Sequence, residues 1–202
     1  MKTEKNIAKH LIVGLIYPAV LGTIIYLLLE TFGKYILKGE SIEFLKSSNY
    51  IILLKAVLLI ATMTFYACDF LYTTYTNKFR TLYFLFDLII LGGLYATFIA
   101  SNYDSDAMPQ IDKILAYFIS FMVLYLLWDG YELIFENKSN KLENMFYKKM
   151  VVWEICSLIV FIILHLFVVN NVTIIISTIA IVISTSRFIY LARQKRIFYI
   201  EE

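Results

Sequence analysis

Charge is scarce in this sequence: 17% of its 202 residues are Asp, Glu, Lys or Arg, while 60% are hydrophobic. A soluble domain is nearer a quarter charged, and a chain of one-domain length could not hide so much apolar surface from water. A water-soluble globular fold is excluded, and lipid is the expected solvent. Net charge is also small, at +2, so the chain lacks the basic field that nucleic-acid binding uses. Cysteine and histidine number two each. Cys68 and Cys156 lie far apart in apolar segments, without the CxxC spacing of a metal or redox pair, and both read as buried free thiols. The histidines fall in separate regions, so no Ser, His and acid triad can be drawn from spacing. Phosphate-loop, dinucleotide, HExxH and GxSxG patterns are absent as well.

What the sequence has instead is long apolar runs. A helix rises about 1.5 Å per residue, so crossing a hydrocarbon core about 30 Å thick takes about 20 residues. Six stretches qualify: Leu11–Leu29, Tyr50–Asp69, Thr81–Ser101, Ile114–Phe135, Met150–Val169 and Val172–Ala192. The first follows Lys2, Lys5 and Lys9 in the manner of a signal peptide, but it is too long and has no small-residue cleavage site. It is expected to stay as a helix. The predicted fold is an all-α integral membrane protein, a compact bundle of about six transmembrane helices forming one polytopic domain over residues 1–202.

Basic residues set the expected orientation. Twelve of them, including Lys78, Arg80, Lys138, Lys148, Lys149 and Arg193, would share one side, against four on the other, Lys34, Lys38, Lys46 and Lys113. Positive segments stay inside, which makes both termini cytoplasmic. The outer run Glu30–Asn49, with its mixed segment Glu40–Lys46, is expected to hold a short interfacial helix. The inner run Glu136–Lys149 mixes basic residues with Met145, Phe146 and Tyr147, a pattern suited to anionic headgroups.

Ionisable side chains at membrane depth are costly and mark candidate sites. Asp69, Asp87, Asp129, Glu132, Glu154 and Arg187 all come out in the cytoplasmic third. Residues three or four apart share a helix face, and several stripes follow: Thr62, Tyr66, Asp69 and Thr73; Tyr125, Asp129, Glu132 and Glu136; Glu154, Ser157, Phe161 and His165; Ser177, Ala180, Ser184 and Arg187. Tyr83 joins Asp87 on the third helix. Turned together, they would build an acidic cavity rimmed by Tyr66, Tyr83 and Tyr125 and open to the cytoplasm. Arg187 would balance one of five acids. Protons, a divalent cation on hard oxygen ligands, or a basic segment of a partner would balance the rest. A packing role for these acids, paired with nearby basic residues, is the plainer alternative.

Other positions carry smaller expectations. Pro18 between Gly14 and Gly22 should kink the first helix, and Gly92 with Gly93 should allow close helix approach. Lys55 should snorkel to the outer interface, and His165 should be a hydrogen-bonded packing residue.

The favoured reading is a small channel-like or transporter-like protein working as a homo-oligomer in the inner (plasma) membrane of a prokaryote. Asp87, Asp129 and Glu154 would attract a cation or carry protons, with Arg187 setting the local potential. No cofactor is evident, although a divalent cation stays open. The second reading is a membrane sensor or effector that docks a cytoplasmic protein partner or a small signalling molecule; compact bacterial membrane effectors of anti-phage defence share this size and lack of separate domains. An intramembrane metal-dependent enzyme ranks third.

Overall fold

The computed structural model describes residues 10–37, 50–74, 81–101, 108–135, 141–167 and 170–200. Among them lie six helices: α1 (Tyr17–Leu37, led by a π-helical turn, Ile12–Ile16), α2 (Tyr50–Thr74), α3 (Thr81–Ser101), α4 (Ile111–Phe135), α5 (Lys141–Leu166) and α6 (Asn171–Ile200). Each contains a stretch long and apolar enough to cross a membrane. The reason is backbone chemistry: in hydrocarbon every N–H and C=O must be bonded internally, which a helix does within one segment.

Helix positions match the sequence reading, but several ends run on. α2 continues past Asp69 to Thr74, α5 begins at Lys141 rather than Met150, and α6 reaches Ile200. Much of the supposed inner connection is therefore the opening of α5, and Phe146 and Tyr147 are buried in the bundle instead of lying on headgroups. The segment Glu40–Lys46 lies outside the described residues. α6 starts on a reciprocal cap: the Asn170 side chain accepts from the Thr173 N–H at 3.0 Å, and the Asn170 N–H donates to Thr173 Oγ1 at 3.1 Å.

Within the bundle α2 packs on α6 and α3, α4 on α5 and α3, and α5 on α6. α1 lies at the margin, with 17% of its span buried against 28–44% for the other five. Leucine and isoleucine cover the outside, as at Leu85 and Ile89 on α3 and Ile179 and Ile183 on α6. Such residues face lipid, which removes the hydrophobic drive for helices to associate and leaves packing to hold them.

That packing is aromatic. The Phe65 ring on α2 lies 4.9–6.1 Å from the rings of Phe118, Phe121, Tyr125 and Phe188. α3 comes close to this cluster at Gly93, where a Cβ would sit 2.5 Å from Phe121 Cε1, whereas one on Gly92 would meet nothing within 4 Å. Only the second glycine of the pair serves close approach.

Three expectations need correcting. Cys68 is buried but Cys156 is exposed, because its place on α5 falls on the lipid-facing side. Lys55 is 3% exposed, so it packs inside the bundle rather than extending to the interface. His165 is exposed at the last turn of α5, beyond the inward-facing Phe161.

Candidate functional site

Pro18 has no N–H, and the turn before it is π-helical, with the Tyr17 N–H bonding the Ile12 carbonyl five residues back. This local widening aims the Tyr17 side chain into the bundle, where it is fully buried. On α2 the residues Tyr66, Asp69, Tyr72 and Thr73 recur at three- and four-residue spacing, and all four are buried. Polar groups turned to hydrocarbon without a partner cost several kcal/mol (roughly 2–7), so this face turns inward.

Asp69 is completely buried and accepts from two tyrosines on different helices, Tyr17 at Oδ2 and Tyr125 at Oδ1. Tyr66 donates to the Tyr17 backbone carbonyl and steadies that end. The Tyr17 hydroxyl also lies 3.3 Å from Thr73 Oγ1, which donates to Asp87 Oδ1 at 3.2 Å. One continuous chain, Asp87, Thr73, Tyr17, Asp69 and Tyr125, thus links α3, α2, α1 and α4.

A second set adjoins it. Tyr72 donates to Asp129 Oδ1, and its ring meets that of Tyr125 edge to face at 5.8 Å. Tyr83 donates to Glu132 Oε1 at 2.7 Å and lies flat on Trp128, 4.2 Å between ring centroids. Glu154 is fully buried facing Asp129, but neither of its carboxyl oxygens has a well-aligned donor. Ser157, three residues beyond Glu154 on α5, shares a hydrogen bond of 2.9 Å with Ser184 on α6.

All five acids named from the sequence are inside the bundle together with Tyr66, Tyr83 and Tyr125, none more than 5% exposed. Among the described residues they are packed in and do not face the expected open cavity. Tyrosine and threonine hydroxyls occupy the space beside Asp69, Asp87, Asp129 and Glu132, because a buried carboxylate without donors is worse than one packed against a phenol. Arg187 is not part of the group. It is exposed, with its guanidinium 4.9 Å over the Tyr190 ring. Inward on α6 are Ser177, Ile181, Ser184 and Phe188, and Arg187 sits about 100° around the helix from Phe188. Glu136 lies outside the described residues.

Two partners, Tyr17 and Tyr72, lie outside the stripes that sequence spacing marks. Tyr72 stands three residues from Asp69, a spacing that could have drawn attention; Tyr17 had only its place before Pro18. Among the described residues, no three acidic, His or Cys side chains converge as a metal site.

The layer has the parts for moving protons. Hydroxyls both donate and accept, so a chain of them can hand a proton from one carboxylate to another by reversing its bonds. Compared with protein-family models, curated proteins and solved structures, the chain matches none of them.

Proposed function

We propose that this multi-pass membrane protein is a small transport protein in which the buried carboxylate and hydroxyl layer carries protons or cations. One observation carries the reading. The Tyr17 and Thr73 hydroxyls touch at 3.3 Å, yet each also donates its single hydrogen to a carboxylate, Asp69 and Asp87 respectively. A proton arriving on Asp87 would donate to Thr73, turn Thr73 toward Tyr17 and push the Tyr17 proton onto Asp69. Three hops move it from α3 to α2, and the hydroxyls end with the hydrogens they need. The sealing of the acids by side-chain hydroxyls favours protons over a hydrated cation, and over the docking of a soluble partner or signalling molecule against the same groups.

A homo-oligomer as the working form belongs to the same proposal. Phe65, Phe118, Phe121 and Phe188 fill the middle of the bundle, so the relay, and not a wide path, is what one subunit offers. Both termini are assigned to the cytoplasm on the distribution of basic residues.

The test is proton flux into liposomes containing the purified protein. Thr73→Val keeps the shape and removes the hydroxyl; it should stop flux while assembly is retained, and Thr73→Ser should restore it. Flux through Thr73→Val equal to that of the unaltered protein would sink the relay.

A further inference from the structure

Away from the acid layer, three cations converge on the flank of the bundle. Lys148 and Lys149 from the opening turns of α5 and Arg187 from α6 stand around a groove of about 400 Å³, with Val152, Trp153 and Cys156 making its other walls. We infer that this groove binds the headgroup of an anionic phospholipid.

The chemistry is that of an amphiphile. Three cations share the lining with the apolar walls Val152, Trp153 and Cys156. Lys149 to Cys156 spans about 10 Å along the helix, comparable to a headgroup and the first methylenes below it. From the groove's own Val152 and Cys156 a lipid-facing strip continues to Ile159 and Ile163, the four spaced by four, three and four residues and all exposed. An acyl chain has a track to follow. Two of the groove's walls are preset: Trp153 stacks on Phe188 at 4.9 Å with 15° between planes, and Arg187 lies on Tyr190. An ordered guanidinium grips a phosphodiester through paired N–H groups, with the lysines as supporting point charges.

Among the described residues, no acid lines the groove. A net-anionic headgroup is therefore favoured over a zwitterionic one, whose own ammonium would face three cations. The same basic residues belong to the side expected to be cytoplasmic, where anionic lipid attracts such clusters.

Cys156 in the groove reports on occupancy. The wild-type protein in dodecyl maltoside micelles is treated with N-ethylmaleimide, with phosphatidylglycerol or phosphatidylcholine added, and labelling is followed by mass spectrometry. Phosphatidylglycerol should slow labelling of Cys156 severalfold, while phosphatidylcholine should leave it unchanged. The combined Lys149→Gln and Arg187→Gln variant should lose that protection, with its labelling in lipid-free micelles unaltered. Equal slowing by both lipids, or protection that survives in the variant, overturns the assignment. So does equal protection by glycerol 3-phosphate, which would make this a site for soluble anions. Native mass spectrometry of the wild type needs no substitution: retained phosphatidylglycerol in excess of phosphatidylcholine supports the site, and equal retention overturns it.

Discussion

Tyr72 and Tyr125 cross in the centre of the bundle, each ending its hydroxyl on the other helix's carboxylate. Tyr72 of α2 donates to Asp129 of α4, Tyr125 of α4 donates to Asp69 of α2, and the two rings meet at 88°. Going up in number on one helix goes up on the other, as two parallel helices require. The tyrosines are long enough to join α2 and α4 across the interior, so the same two residues fix the spacing of these helices and satisfy their acids.

Tyr125→Phe and Tyr72→Phe remove one donor each and keep the rings. Each should lower stability by about 1 kcal/mol, the usual net value of one hydrogen bond and toward the upper part of what membrane interiors give. Unfolding in mixed detergent micelles measures this. Combining Tyr125→Phe with Asp69→Asn should cost less than the two single changes added, because both break the same bond. Strict additivity would mean that the bond contributes nothing.

Gly93 and Gly92 should respond oppositely to alanine. A Cβ at residue 93 would stand 2.5 Å from Phe121 Cε1, and that ring is held by Phe65 and Phe118 at 5.7 and 5.4 Å. It has nowhere to turn. Overpacking of this kind costs about 1–3 kcal/mol, and Phe121→Leu should recover part of it. Gly92→Ala has open space and removes a flexible residue from a helix, so it should be neutral or gain a few tenths of a kcal/mol, roughly up to 1. Equal loss at both positions would contradict the close approach.

How much of this was legible beforehand depends on dimension. Asp69, Asp87, Asp129 and Glu154 stand out because acids interrupt apolar runs, and their helix-face spacing announces burial. Lateral placement is a different matter. Tyr125 shares a helix face with Asp129 but serves Asp69, a choice set by the arrangement of α2 against α4 and not by spacing along one chain. Arg187 fails for a related reason: the stripe through Ser184 was continued by three residues, whereas the inward seam steps by four to Phe188. The closed layer in place of an open cavity follows from Tyr17 and Tyr72, whose hydroxyls arrive from positions that periodicity does not mark.

The two thiols should separate cleanly. N-ethylmaleimide added to the folded protein in lipid-free detergent should give a single adduct, on exposed Cys156, with buried Cys68 reacting only after denaturation. Peptide mass spectrometry distinguishes them. Early labelling of Cys68 would show that α2 is open to reagent beside Asp69.

Glu154 offers the sharpest separation of a working acid from a packing one. It is buried without an aligned donor for either oxygen and it faces a second carboxyl, Asp129. Such a group weakens a fold: an unsatisfied buried polar group costs about 1–3 kcal/mol, and apolar replacements of buried charges are often stabilising. Glu154→Gln keeps the shape and supplies an amide that can donate to Asp129; Glu154→Met keeps the volume and removes the polar end. Both should raise stability in mixed micelles by about 1–2 kcal/mol on the same reasoning. If the acid serves transport, both should also abolish proton flux, since stability and activity commonly conflict at working sites. A variant that gains stability and retains full flux would reduce Glu154 to an imperfection in the core, whereas one that loses stability would show that the carboxyl shares a stabilising hydrogen with Asp129.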